Sequence, residues 1–274
     1  DARLPDGSRV NVVLPPVALD GPTMTIRKFP KEKMTMERLI ELGALDEEAA
    51  GFLKLLVKAR YNIFVSGGTG AGKTTFLNAL SDYIPKTERI ITIEDSAELQ
   101  LRDVENLVRM ETRNSNVEGE NAITIRDLIK ASLRMRPDRV IVGEVRDSAA
   151  IDMLTAMNTG HDGSLSTGHA NSAYDMITRL ESMVLMGIEL PMEAVRRQIA
   201  SAVDIIIHLG RLRDGSRKVT EICEVTGIEN GQVQLMSLYE FEEQAEKGRK
   251  TVQGHLKKKA ALQNKEKLKR AGLE

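Results

Sequence analysis

The sequence predicts an α/β protein whose central, mostly parallel sheet is covered by helices on both faces. Strand and helix patterns alternate along most of the chain, which is typical of parallel strands joined by crossover helices. A Gly-rich segment joins a buried strand to a helix near residue 70. With 41% hydrophobic and 29% charged residues in 274, the chain can bury a core and is not a disordered protein.

The first 28 residues predict two short strands, at residues 10–14 and 23–28. The pair Pro15-Pro16 and the segment Asp20-Gly21-Pro22 supply the turns between them. Two strands cannot build an independent core. Because the sequence begins with Asp1 rather than Met, we expect residues 1–28 to be the end of a domain whose first part is missing.

Residues 29–242 predict the main domain. A first helix is indicated by the helical spacing of Met36, Leu39 and Ile40, and Asp46 can cap a second helix that runs to about residue 58. Strands are predicted at 62–65, 89–93, 107–110, 139–142 and 164–167, and helices after residue 72 and at 125–134, 147–157 and 172–185. Three last strands, at 202–208, 217–224 and 232–239, surround the turns Asp214-Gly215 and Asn230-Gly231 and predict hairpins at the sheet's edge.

The Gly-rich segment matches the phosphate-loop pattern G-x-x-x-x-G-K-[ST] in its required strand–loop–helix context. Its predicted nucleotide-binding residues are Gly67, Gly68, Thr69, Gly70, Ala71, Gly72, Lys73, Thr74 and Thr75. Glycines allow successive N–H groups to face one anion, and a helix N-terminus favours negative charge. Lys73 can reach the terminal phosphates and the Thr74 hydroxyl can bind Mg²⁺. The segment therefore predicts binding of ATP with Mg²⁺.

Acidic residues follow two of the predicted strands, where ligands bind in such sheets. By itself an acidic residue at a strand end is more often a helix cap or a solvated turn. After a phosphate loop, Glu144 is the expected Walker B acid and a second Mg²⁺ ligand. Glu98, with Glu94 as the alternative, is the expected base that orients water.

Two of the four histidines lie in the glycine- and hydroxyl-rich segment 159–172. We do not expect a zinc site at these histidines, because the further Cys or His ligands that zinc needs are missing. A capped turn at Asn171 or Ser172 would explain the segment without chemistry, whereas His161 or His169 could sense a γ-phosphate or relay a proton.

Charge is distributed unevenly, although the formal net charge is −1. Residues 247–270 contain ten Lys or Arg and one acidic residue. We expect residues 243–274 to form a basic tail with a helix that contacts a neighbouring subunit or an anionic membrane; a solvated helix end is the alternative. No apolar run approaches the ~18 residues of a membrane span, and the single Cys223 excludes an internal disulfide.

Taken together, these segments resemble the ATPases of type II and type IV secretion and type IV pilus assembly, most of all the CpaF-type ATPases of the tight-adherence (Flp) pilus. The resemblance extends over about residues 1–239. It is carried by the phosphate loop, by residues 93–101 and 135–146, by the histidine segment, and by two N-terminal stretches, residues 6–11 and residues 19–22 with 25–29. The zinc-binding cysteine pairs of some members are missing here.

The resemblance implies a RecA-like ATPase domain after the remnant of a small α+β domain, in a homo-hexamer. It implies a cytoplasmic motor at the inner face of the inner membrane, acting on platform proteins, with peripheral membrane association. It assigns the acidic box to residues 94–98, Walker B to Glu144, and the histidine box to His161 and His169. N-terminal arginines that reach phosphates would be Arg9 and Arg27, although both could be simple surface residues of their strands.

Two other functions stay open on the sequence alone. A RecA-like ATPase with a basic tail could move nucleic acid, but only 3% of residues are aromatic and none is Trp, so few side chains could stack on bases. We therefore expect no nucleic-acid partner. A nucleotide-dependent docking switch without turnover is the other alternative, and the presence of both Glu98 and Glu144 disfavours it.

Overall fold

A computed structural model describes residues 2–28, 34–101, 104–115, 120–244 and 251–274. The chain forms two compact units, Asp1–Met34 and Thr35–Glu274. The first unit is a three-stranded antiparallel sheet in the order β1-β2-β3. Its strands are β1 (Ala2–Arg3), β2 (Arg9–Val13) and β3 (Thr23–Arg27). β2 and β3 match the predicted pair, while β1 was not predicted because two residues carry no periodicity.

The second unit begins with two capped helices, α1 (Met36–Glu41) and α2 (Glu47–Lys58). The Asp46 carboxylate accepts a hydrogen bond from the Ala49 backbone N–H at 2.9 Å, as the sequence predicts for an N-cap. Thr35 caps α1 in the same way through the N–H of Arg38.

A nine-stranded sheet follows. Its first elements are β4 (Ile63–Gly67), α3 (Lys73–Ser81), β5 (Arg89–Glu94), β6 (Asn106–Glu111), α4 (Ile125–Ser132) with a 3₁₀ turn (Leu133–Met135), β7 (Arg139–Val142), α5 (Ala149–Asn158), β8 (Leu165–His169) and α6 (Ala173–Leu185). The remaining elements are α7 (Met192–Ala202), β9 (Ile205–Arg211), β10 (Arg217–Glu229), β11 (Gln232–Glu243), β12 (Gly254–Lys258) and α8 (Glu266–Arg270).

The strand order is β12-β11-β10-β9-β4-β8-β7-β5-β6. Neighbours from β9 to β6 pair in parallel, and β10, β11 and β12 continue the sheet antiparallel. The predicted α/β fold with a mostly parallel sheet is confirmed. Because parallel strands share a direction, the carboxyl ends of β4, β8, β7 and β5 lie along one edge of the sheet.

Helix α7 is the main element that the sequence analysis missed. Its buried residues Val195, Ile199 and Ala202 recur at helical spacing. The sequence instead predicts a strand from residue 202, since the apolar end of this helix runs directly into the apolar strand β9. The strand begins only at Ile205.

Part of the basic C-terminal segment forms a strand of the sheet, whereas the sequence analysis predicts a basic tail with a helix. β12 pairs with β11, and within residues 251–274 only the five-residue α8 is helical. Lys259 contacts Glu242 at 2.8 Å, and Lys257 contacts the same residue at 3.2 Å. These two lysines of the segment are therefore paired within the chain. Among the described residues, no helix combines the length and hydrophobicity needed to cross a bilayer.

Candidate functional site

The phosphate loop connects β4 to α3 at the shared carboxyl edge. A Cβ added at Gly67 would lie 2.7 Å from the Leu209 carbonyl oxygen, so only glycine fits beside β9. Gly72 has a φ of 94° and immediately precedes α3, a left-handed conformation that favours glycine. The tip of the loop, Gly68 to Gly70, is exposed. A backbone concavity followed by a helix N-terminus is the geometry that binds phosphate groups.

Lys73 lies inside this loop. Its buried side chain donates hydrogen bonds from Nζ to the carbonyl oxygens of Gly67 and Gly68, both at 3.0 Å. Burial lowers the pKa of Lys73, Glu144 opposes that shift, and Arg146 adds to it. The lysine ammonium is thus held at the centre of the loop and within electrostatic range of Glu144.

Glu144 and His169 meet at the same edge. His169 ends β8 and is the register partner of Gly67 in β4, while Glu144 follows the end of β7. The Nδ1 atom of His169 hydrogen-bonds Oε1 of Glu144, and Arg146 donates to Oε2 at 2.6 Å. Burial raises the pKa of Glu144, but Arg146 and His169 together outweigh it, so the pKa is lowered. The carboxylate is therefore charged at neutral pH.

Glu94 and Glu98 have different environments. Glu94 ends β5 and is buried, and its Oε1 accepts the backbone N–H groups of Glu98 and Leu99, both at 2.9 Å. Its Oε2 has no hydrogen-bond partner among the described residues. Burial raises the pKa of Glu94, which the two N–H groups oppose. Glu98 is half-buried, so it is the carboxylate with access to solvent.

His161 lies far from His169. It precedes β8, whose first residue Leu165 pairs with Ile63 at the start of β4. The five-residue strand separates the two ends by about 13 Å. The Nδ1 atom of His161 lies 3.3 Å from the Ala156 carbonyl oxygen. The structure therefore brings His169, but not His161, to the phosphate loop of this chain.

Arg9 and Arg27 are directly opposite each other on β2 and β3. Arg3 on β1 is the partner of Arg9, which completes a row of three arginines across the small sheet. Residues directly opposite one another lie on the same face, so the three guanidinium groups are on one face of this sheet. Arg3 was not predicted as a site residue because the strand β1 itself was not predicted.

Arg146 is a further residue at the site, and no role was predicted for it from the sequence. Its second contact is with Asp95, 3.6 Å from Nη1, so it joins the segments after β7 and β5. The pattern of Glu144 two residues before Arg146 could have suggested the pair. His208 on β9 supports the loop strand from the other side, with Nδ1 2.8 Å from the Ser66 hydroxyl.

The oxygen donors near the loop suit Mg²⁺, which binds together with substrate phosphates, better than a metal ion whose ligands all come from the protein. Among the described ranges, no group of three or more His, Cys, Asp or Glu residues could hold a metal ion. Mg²⁺ typically takes one or two protein oxygens together with substrate phosphates and water. The half-buried Thr74 hydroxyl could be one such oxygen, and the charged Glu144 could be a second in place of its contacts with His169 and Arg146.

This chain is similar to several known proteins. The family described as "Type II/IV secretion system protein" matches residues 1–271. A putative conjugal transfer protein of Mycobacterium tuberculosis is 40% identical over 231 residues, 84% of this chain and 65% of that protein. The sulphate complex of the VirB11 ATPase from the Brucella suis type IV secretion system is similar over 81% of this chain and 72% of its own, at 33% identity and a TM-score of 0.59.

The pilus retraction motor PilT with bound ADP is also similar, at 26% identity and a TM-score of 0.56, over 84% of this chain and 58% of PilT. The chain thus spans about two thirds of the length of these proteins. Because the family match extends over nearly every residue, the chain belongs to the type II/IV secretion system protein family.

Proposed function

We propose that this chain binds and hydrolyses ATP as the motor subunit of a secretion or pilus machine. The observation that carries the proposal is the cluster of Glu144, His169 and Arg146 beside the phosphate loop, with Gly67 and His169 in register on adjacent strands. A loop alone could serve a binding protein. A charged carboxylate with two basic partners at the same edge is suited to hydrolysis.

Each residue has a separate role in this proposal. The loop N–H groups from Gly68 to Thr75 bind phosphates, and Lys73 neutralises their charge. Thr74 and Glu144 would hold Mg²⁺, which supplies charge neutralisation for the phosphates when bound. His169 orients Glu144. Glu98 is the better candidate to orient the attacking water, because it is half-buried and accessible to solvent whereas Glu94 is buried.

Arg9 and Arg27, in the first compact unit, stay proposed nucleotide-binding residues through the resemblance alone. His161 is a proposed site residue only through the resemblance. Its place before β8 supports a structural role in this chain instead.

Within the family, we assign the chain to the Flp-pilus branch, as a homo-hexamer in the cytoplasm that contacts inner-membrane platform proteins. The descriptions of VirB11 as a type IV secretion ATPase and of PilT as a pilus retraction motor support the general role. The pairing of Lys257 and Lys259 with Glu242 supports a structural role for the basic segment, rather than a membrane or nucleic-acid contact.

The test is steady-state Mg²⁺-dependent ATP hydrolysis by the purified chain and its Glu144→Gln variant, over a range of protein concentration. We expect turnover that rises with concentration, as a ring would require, and that is lost in the variant. Glu98→Gln should then lose turnover while it still binds ADP. Binding without turnover in the unaltered chain would favour a docking switch, and strong stimulation by DNA would favour a nucleic-acid motor.

A further inference from the structure

Arg217, the first residue of β10, touches the phosphate loop from the side opposite the acidic residues. β10 runs antiparallel to β9, so its first residue lies at the same edge as the end of β9. Leu209 on β9 is the partner of Gly67. From this position Nε of Arg217 donates to the carbonyl oxygen of Gly70 at 2.6 Å.

The order of the strands shows on which side of the phosphate loop Arg217 lies. His169, Glu144 and Glu94 come from β8, β7 and β5, which lie on one side of β4. β9 and β10 lie on the other side. The acid, the metal and the attacking water act on the terminal phosphate. A nucleotide with its terminal phosphate on that side would have its α-phosphate and nucleoside towards β10, where Arg217 is.

The chemistry of the side chain suits that neighbourhood. A guanidinium has five N–H donors, and the Gly70 contact engages only Nε. Its terminal nitrogens can donate to phosphate oxygens, and its plane can stack on a base. The Arg217 Cδ lies 3.4 Å from the place that a Cβ on Gly72 would occupy, so the stem rests against the start of α3. The residue is exposed, which leaves its outer face open to a ligand.

We propose that Arg217 is a nucleotide-binding residue, which holds the loop through Gly70 and contributes positive charge on the α-phosphate and nucleoside side. The proposal rests on the proposed nucleotide binding. It predicts an effect on nucleotide affinity and not on the chemical step. A group that acts in the same way on ATP and ADP lowers KM and leaves kcat unchanged.

The experiment is calorimetric titration of ADP into the purified chain and its Arg217→Ala and Arg217→Lys variants. The matched control is Arg213→Ala, because Arg213 lies on the same hairpin but contacts Glu243 at 2.6 Å instead of the loop. We expect Arg217→Ala to raise the Kd for ADP about tenfold, with partial recovery in the lysine variant and no change in the control. The KM for ATP should rise in parallel, while kcat stays within about twofold.

Unchanged ADP affinity in Arg217→Ala, or a fall in kcat at constant KM, would overturn the proposal. If the unaltered chain binds no ADP, the proposed function itself fails. Binding by the unaltered chain and equal binding by Arg217→Ala would contradict only the role of Arg217.

Discussion

The ammonium group of Lys267 lies 2.6 Å from Oδ2 of Asp204, and this ion pair ties the C-terminal segment to the amino end of the sheet. The two side chains are only 16% and 15% exposed. The same oxygen of Asp204 accepts the backbone N–H of Asn62 at 2.7 Å, and Lys267 also reaches Asp162 at 2.8 Å. One lysine thus links α8 to the segments that precede β4, β8 and β9.

Removal of this lysine should destabilise the protein. Lys267→Met keeps the apolar stem but leaves Asp204 buried without its cation, at a cost of about 3 kcal/mol in the free energy of unfolding. Lys269→Met, on the exposed side of α8, should change it by less than about 0.5 kcal/mol. Urea unfolding of both variants measures the difference. Equal stabilities would show that the ion pair contributes nothing.

The side chain of Glu94 leaves no room for a Cβ at Gly143. An added Cβ would lie 2.9 Å from Cγ of Glu94, whose carboxylate is held by two backbone N–H groups. Gly143→Ala should therefore destabilise the fold by about 1–3 kcal/mol and reduce ATP turnover.

Gly51→Ala is the opposite case. Gly51 lies inside α2 with nothing within 4 Å of an added Cβ, so alanine should stabilise by about 0.5–1 kcal/mol. Thermal unfolding of both glycine variants would test the contrast. A tolerated alanine at position 143 would mean that Glu94 can move freely.

The buried Glu94 should make the free energy of unfolding depend on pH. Burial raises its pKa above the ordinary value of 4.5. The folded state then binds the proton more tightly than the unfolded state, so this stabilisation is complete below about pH 4.5 and is lost as pH rises through the raised pKa. Relative to Glu94→Gln, which cannot ionise, the unaltered chain should lose stability across that window. Unfolding at several pH values measures this, with exposed Glu229→Gln as the control; a pH-independent difference would contradict it.

Thr74 predicts the metal dependence of binding. Thr74→Val keeps the size of the side chain but removes the hydroxyl. Mg²⁺ should raise the affinity of the unaltered chain for a non-hydrolysable ATP analogue, and this increase should be at least about tenfold smaller in the variant. Binding with a chelator present should stay the same. Calorimetry with and without Mg²⁺ tests this, and Thr178→Val on the exposed side of α6 is the control. A full Mg²⁺ response in the Thr74 variant would exclude the hydroxyl as a ligand.

Several features could be predicted from the sequence because their causes lie within a few residues. The phosphate loop needs only its glycines, Lys73 and the flanking strand and helix. The cap at Asp46 is a local hydrogen bond, and β7 begins and ends where the apolar pattern predicts, at Arg139–Val142. Local patterns failed where two elements share one apolar run, as at the end of α7 and the start of β9.

What only the tertiary structure decided is which residues meet. His161 and His169 lie in one short segment, yet strand β8 places them at opposite ends of the sheet. Arg217 and Gly70 are far apart in sequence and meet because β9 pairs with both β4 and β10. Strand order follows from the packing of whole helices and strands, which no local spacing of residues encodes. The sequence therefore determined the loop, and the sheet determined which side chains surround it.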